Sequence, residues 1–139
     1  MKRAQLLLVF LLAGVAAGAV YHFTIKGNVE VSESEVEVEP QTFSVEVGKG
    51  AVYVREVTIK NYGGEREIYF EYVVEGPEPE AVEVFVNDIY GNRIHSKNRL
   101  SLPAGSPENP SEVRVNVHVE VGEEALAGEY TIYIMAKET

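Results

Sequence analysis

The sequence predicts an all-β protein, an antiparallel β-sandwich preceded by an N-terminal hydrophobic leader. In several segments apolar residues occupy every second position, most regularly in residues 113–121, where valines alternate with polar residues. That period places one face of a strand in a core and the other in water. Glycine, proline and asparagine separate these segments, as in residues 61–64. At 139 residues the chain has room for one such domain.

The first 19 residues have the composition of a signal peptide. A basic start, residues 1–3, precedes an almost wholly apolar run, residues 6–17, and residues 17–19 supply an A-x-A arrangement of small side chains. A second interpretation is an uncleaved membrane anchor, because residues 6–23, broken only by His22, are close to the lower limit of about 17 to 20 residues for a spanning helix. A third cuts the chain after Arg3 and keeps the apolar run as a pilin-like packing helix. We expect a secreted or cell-surface protein that touches a membrane only through an uncleaved leader.

Acidic residues dominate the charge of the chain, with 22 Asp and Glu against 12 Lys and Arg and a net charge of -10. Such a balance disfavours nucleic acid and anionic membrane surfaces as partners. Glutamates at alternate positions, as at Glu35, Glu37 and Glu39, indicate a solvated strand face. The chain contains no cysteine, which excludes disulfides, thiolate zinc sites and a cysteine nucleophile.

A separate strand precedes the main domain. In residues 20–31 apolar and polar side chains alternate, but the phase changes across residues 32–34, which predicts a bend or turn between two strand segments. We therefore divide the chain into residues 1–19 for the leader, 20–31 for the N-terminal strand and 32–139 for the sandwich.

Two fates are open for this strand, which is long for a small sandwich. If it stays in its own domain, we expect an edge strand or coil and a monomeric protein. If it is donated to a second copy, Tyr21, Phe23 and Ile25 fill a groove in the neighbour, while backbone hydrogen bonds provide strength. Gly27 is then the flexible joint between donor and domain.

The apolar residues at the inward-facing positions of the later strands predict the core. Tyr130 stands at a corner where its ring can be buried while its hydroxyl bonds a nearby backbone group. A change of phase between Val54 and Val57 predicts a bulge near Arg55. The predicted core residues are Val57, Ile59, Ile68, Phe70, Tyr72, Val115, Val117, Tyr130 and Ile132.

Several turn and strand motifs carry a resemblance to known domains. Residues 57–61, 102–105 and 127–132, in this order around the valine strand, resemble the Ig-like domains of the CARDB and NEW3 type found in exported prokaryotic, especially archaeal, proteins. This resemblance covers residues 36–137 and implies an Ig-like sandwich of seven to nine strands. The leader followed by an alternating strand also resembles archaeal bundling-pilus and TasA-type subunits. That resemblance implies a first strand that completes a neighbour's sandwich.

No motif in the sequence indicates an enzyme. His22, His95 and His118 lie far apart and lack the spacing that sets two metal ligands on one face. The polar residues 87–92 contain one carboxylate, Asp88, so we interpret them as a turn and not as a calcium site. The exposed glutamate repeats do not give two carboxyl groups the different environments that catalysis requires. We expect no catalytic residue, no metal and no cofactor.

A set of large side chains lies on the faces opposite the predicted core. If their strands are neighbours, these residues form an outward apolar stripe. The alternative is that they only raise strand propensity. The residues are Tyr69, Val73, Phe85, Tyr133 and Met135.

These expectations favour a non-enzymatic extracellular structural protein. The leading hypothesis is a subunit of a cell-surface filament or pilus, a homopolymer assembled by donor-strand exchange through the N-terminal strand. The alternative is a monomeric Ig-like binding or accessory module of the cell envelope, anchored by an uncleaved leader and comparable to archaellum stator or S-layer-associated proteins.

Overall fold

The computed structural model describes residues 5–9, 21–30, 35–40 and 42–138. Within these ranges the helical content is one 3-10 turn, Pro79–Ala81, and no helix has the length and apolar character needed to span a membrane. The strands in chain order are β1 (Gln5–Val9), β2 (Tyr21–Glu30), β3 (Val36–Glu39), β4 (Thr42–Glu46), β5 (Val52–Asn61), β6 (Arg66–Glu75), β7 (Val82–Asp88), β8 (Leu100–Leu102), β9 (Ser111–Val121) and β10 (Gly128–Lys137).

Two sheets form the protein. The first has six strands in the order β1-β4-β2-β10-β6-β8, and the second has four in the order β3-β5-β9-β7. Neighbouring strands are antiparallel, except that β2 is parallel to β10 and β1 to β4. The predicted all-β sandwich is thus confirmed, and the eight described strands from β3 onward lie within the predicted number.

The chain changes sheets twice near its N-terminus. The predicted change of phase at residues 32–34 lies outside the described residues, but β2 and β3 on either side of it belong to different sheets. The chain crosses again between β3 and β4, at the cis peptide bond before Pro40. The N-terminal region therefore consists of separate strand segments, as the sequence predicted.

The core lies between the two sheets. Eight of the nine predicted core residues are buried, and the ninth, Tyr72, is partly buried and packs against them. The backbone N–H of Val86 donates a 3.0 Å hydrogen bond to the Tyr72 hydroxyl, which joins the two sheets. Burial raises the pKa of Tyr72 to about 12. Side chains from both sheets, including Phe70 and Val117, line an apolar cavity of about 30 Å³ between the layers.

Two buried polar side chains fix the ends of the sandwich. Tyr130 is 1% exposed and its hydroxyl donates a hydrogen bond to the carbonyl of Leu126, which confirms the predicted corner. Asn61 is fully buried, and its amide group donates hydrogen bonds of 2.9 Å to the carbonyls of Gly64 and Pro103. Since buried polar groups are costly unless they are paired, these bonds hold the connecting loops in one arrangement.

The predicted bulge near Arg55 is wrong. β5 pairs with β9 along its whole length without an extra residue. Val52 and Val54 occupy the outer face and are 58% and 47% exposed. Tyr53 occupies the inner face instead, where its ring packs against Phe43 with 6.2 Å between centroids. Arg55 lies on the same inner face, with its guanidinium 5.3 Å from the Phe43 ring centroid. The change of apolar phase therefore marks the end of the valine-filled core, where Tyr53 and Arg55 replace the aliphatic side chains and both contact Phe43.

We predict that Phe70→Ala lowers the free energy of unfolding by about 3–5 kcal/mol, because it removes a ring from the cavity wall between the sheets. Chemical denaturation measures the loss. Val73→Ala on the same strand is the matched control, since Val73 is 45% exposed and its truncation should change stability by about 0.5 kcal/mol or less. A loss below about 1 kcal/mol for Phe70→Ala would contradict its place in the core.

Candidate functional site: the inserted N-terminal strand

The N-terminal strand β2 is an interior strand of the six-stranded sheet. Along one edge it pairs in parallel with all of β10, from Tyr21 opposite Gly128 to Glu30 opposite Lys137. Along the other edge it pairs antiparallel with β4 and with β1, which lies within the predicted leader. The expectation of an edge strand or coil for a retained strand is therefore wrong. Both β2 and β10 have 10 residues, so the length of β2 suits a sandwich built from long strands.

The three residues predicted to act as donor residues occupy register positions that continue the core face of the sheet. Residues in register on adjacent strands belong to the same face. The β4 and β10 partners of Phe23 and Ile25 are all buried, at 0–3% exposure. The register pairs are Tyr21 with Gly128, Phe23 with Tyr130 and Val45, and Ile25 with Ile132 and Phe43.

We call the space between β4 and β10 the slot. Within the described residues β4 and β10 share no ladder, and β2 connects β4 to the block formed by β10, β6 and β8. Without β2, the backbone groups along one edge of β10 would lose their partners, and the apolar side chains of Phe43 and Ile132 would lose cover from this side. Both defects are costly, so the fold favours an extended segment with suitable alternation in the slot.

The predicted outward stripe is divided between the two sheets. Four of its residues lie on adjacent strands β6 and β10, with Tyr133 directly opposite Val73. Charged residues interrupt this set, because Met135 is opposite Glu71 and Tyr69 is opposite Lys137. Phe85 lies on β7 in the other sheet and is buried, so it does not contribute to the same surface.

Phe85 instead forms the centre of a stack on the outer face of the four-stranded sheet. Its ring stacks on His118 with 4.6 Å between centroids and an interplanar angle of 11°. The guanidinium of Arg93 lies 3.8 Å from the Phe85 centroid and 3.8 Å from a carboxylate oxygen of Glu83. The sequence places Phe85 and His118 on outward positions, but their contact depends on the pairing of β7 with β9, which alternation does not specify.

The loop after β7 is a turn, as predicted. The carboxylate of Asp88 accepts hydrogen bonds of 2.9 Å from the backbone N–H groups of Tyr90 and Asn92. Gly91 in the same loop has φ +86°, a conformation that glycine adopts without strain. Among the described residues no three of the His, Asp and Glu side chains are grouped so as to hold a metal ion.

Fold and site together define a class of protein: an all-β sandwich in which an N-terminal strand separates two later strands of one sheet. The chain is 48% identical over 132 residues to an uncharacterized protein of Archaeoglobus fulgidus, and the match covers 95% of this chain and 94% of the relative. The chain therefore belongs to the same family as that protein. A match of this length includes the region of β2 and the slot. No model of a protein family matches the chain.

We predict that the loop after β7 stays ordered at neutral pH and loses order on strong acidification. The N–H groups of Asn92 and Tyr90 stabilise the Asp88 carboxylate and hold its pKa below the ordinary value. Because the pKa of Asp88 is lower in the folded protein than its ordinary value, the ionised carboxylate stabilises the folded state at pH values above the ordinary pKa. This stabilisation is lost as the pH falls through the lowered pKa of the folded state. Amide chemical shifts of Tyr90 and Asn92 report the transition, and Asp88→Asn should abolish it. A pKa for Asp88 at or above the ordinary value would contradict this account.

Proposed function

We propose that the protein is an exported, non-enzymatic structural subunit that self-associates by exchange of β2 between copies. The observation that supports this most directly is the position of β2, which fills the slot between β4 and β10. The signal-like composition of residues 1–19 supports export, and the order of strands and turns supports an Ig-like sandwich at the cell surface. The family relationship adds no activity to this proposal, because the relative is itself uncharacterized.

Exchange is energetically accessible because the slot recognises a strand mainly through its backbone. The ladder with β10 has ten register pairs, and each backbone N–H and C=O can be satisfied equally by the same strand from another copy. The side-chain alternation of β2 then fixes the register, since a shift by one residue exchanges the apolar and polar faces. Self-insertion and exchange in the parallel direction use the same contacts, so chain connection and protein concentration decide between them.

The short connection after β2 restricts the geometry of exchange. Glu30 pairs with Lys137, and Val36 pairs with Asn61, so β2 ends at the same end of the sandwich at which β3 begins. Residues 31–35 can extend over roughly 20 Å at most, at about 3.3–3.6 Å per residue. A donated strand therefore holds the two copies close together. If the donated strand runs parallel to the neighbour's β10, it joins the same end of both sandwiches. An end-to-end filament instead requires β2 to enter the slot antiparallel to β10.

Cysteine cross-linking tests the exchange, because the chain has no cysteine of its own. A full-length Thr24→Cys protein is mixed with a second protein that carries one cysteine on β10. Thr131→Cys detects parallel insertion, since Thr24 and Thr131 are in register. Tyr133→Cys or Met135→Cys detects antiparallel insertion, which places these outward positions near residue 24. Oxidation followed by a non-reducing gel should give a disulfide-linked pair of chains with at least one partner, because neighbouring strands have the Cα separation that a disulfide needs.

Lys49→Cys is the control partner, because Lys49 lies in the exposed turn before β5 and should give no cross-link with Thr24→Cys. The double variant Thr24→Cys, Thr131→Cys reports self-insertion as a disulfide within one chain. If only that internal disulfide forms, and no mixture of single variants yields a linked pair, the exchange proposal is wrong. Deletion of residues 20–26 should abolish assembly and leave a folded protein with an open slot.

A further inference from the structure

The two ends of the β7–β9 strand pair carry opposite charge. Residues 89–107 contain Arg93, His95, Lys97 and Arg99 and no acidic residue, although the chain as a whole is strongly acidic. Part of this segment, together with Arg114 at the start of β9, lines an open cleft of about 430 Å³, and Asp88 and Glu112 line the same cleft. Residues 88–114 as a whole contain four Lys and Arg and three Asp and Glu, so this end carries a net charge of +1. Among the described residues no side-chain hydrogen bond or ion pair uses Lys97 or Arg114. We call this end, with Ile89, Tyr90, Lys97, Arg99 and Arg114, the basic pole.

The loop at the basic pole presents two apolar side chains to solvent. Tyr90 is 83% exposed and Ile89 is 52% exposed. Asp88 holds their backbone through its bonds to the N–H groups of Tyr90 and Asn92, so little backbone entropy remains to be lost on binding. An aromatic side chain that lines the same cleft as Arg99 and Arg114 is a composition enriched in protein interfaces.

The opposite end is strongly acidic. The segments that connect strands there, residues 47–52, 75–83 and 120–129, contain eight glutamates and one lysine. Glu80, Glu120 and Glu124 line a second open cleft, of about 260 Å³. Val52 and Leu126 at this end are 58% and 52% exposed. We call this end, with these five residues, the acidic pole.

Glutamates crowd one another at the acidic pole. The Glu80 carboxylate accepts a hydrogen bond from the protonated Glu78 carboxyl, and this bond and then the charge of Glu80 raise the pKa of Glu78. Glu120 and Glu83 are also directly opposite each other on β9 and β7, and Arg93 offsets the charge of Glu83 through its 3.8 Å contact. Cationic groups of a second copy would relieve the repulsion that remains among Glu78, Glu80 and Glu120.

We propose that the basic pole of one copy docks on the acidic pole of a second copy, with Ile89 and Tyr90 packed against Val52 and Leu126. Charge complementarity identifies the partner, because two copies that each carry a net charge of -10 repel one another unless these poles meet. The contact joins different surfaces of the two molecules, so it is head-to-tail and open-ended. Arg114 and Glu120 are six residues apart on β9, which separates the poles by about 20 Å along each subunit.

The contact between the two poles also fixes the direction in which a donated strand enters its neighbour. This consequence rests on the proposed exchange. The connection between β2 and β3 lies at the end of the sandwich that carries the basic pole. When this end faces a neighbour's acidic pole, a donated β2 enters the neighbour's slot from the acidic end. It then runs antiparallel to β10, opposite to the direction of self-insertion. The Tyr133→Cys and Met135→Cys mixtures detect this orientation.

Charge-swapped variants of the full chain test the contact by sedimentation velocity. The basic-pole variant is Lys97→Glu, Arg114→Glu, and the acidic-pole variant is Glu80→Lys, Glu124→Lys; all four side chains are exposed. Each variant alone should associate at least about tenfold more weakly than the original protein, because its substitutions place like charges opposite each other in the contact. An equimolar mixture of the two should associate again. Association of the original protein should weaken as ionic strength rises, since salt screens exposed charges.

Two further measurements make the result decisive. Glu56→Lys, an exposed substitution in the middle of β5, is the control and should leave association unchanged. Tyr90→Ala should weaken association without changing the thermal melt, because the side chain is 83% exposed. The proposed contact between the poles would be overturned if the mixture of the two pole variants did not associate, or if salt did not weaken association of the original protein. Cysteine cross-links that persist in both pole variants would then show that strand exchange occurs without it.

Discussion

The backbone ladder between β2 and β10 is the interaction on which the rest of the six-stranded sheet depends. It runs over ten residue pairs, and it is also the route by which β4 joins β10, β6 and β8. The second sheet has no such dependence, because β5 and β9 pair over ten residues and its four strands all lie within residues 36–121. One layer of the sandwich is thus complete in itself, and the other requires a strand from the N-terminal region.

Under the proposed exchange, this asymmetry links stability to assembly. The strand that closes the sheet precedes the sandwich in sequence and is joined to it by residues 31–35 alone, so a neighbour's β2 is the alternative occupant of the slot. In the parallel direction the core is the same in both cases, because Phe43, Val45, Tyr130 and Ile132 meet the same strand. Exchange then adds subunit contacts without new side-chain chemistry.

The alternation of apolar and polar residues was sufficient to predict which face of a strand is buried, but not which strands are neighbours in a sheet. The valines of β9 and the apolar positions of β5 and β6 predicted the core, and Gly128 to Tyr130 predicted the buried corner. The interior position of β2 was not predictable in this way, since every residue carries the same backbone donors and acceptors at its edges. The contact of Phe85 with His118 and the opposition of the two charged poles depend on the β7–β9 pairing for the same reason.

The remaining sheet edges are short or covered, and this decides what an opened molecule can bind. The edge strands β1, β3 and β8 have 5, 4 and 3 residues, and the returning chain covers the end of β7, where the N–H of Ile94 bonds the carbonyl of Val86. Unpaired edges promote indiscriminate aggregation unless they are short, charged or covered. Release of β2 therefore exposes a long template along β10, which the β2 strand of a second copy matches in length.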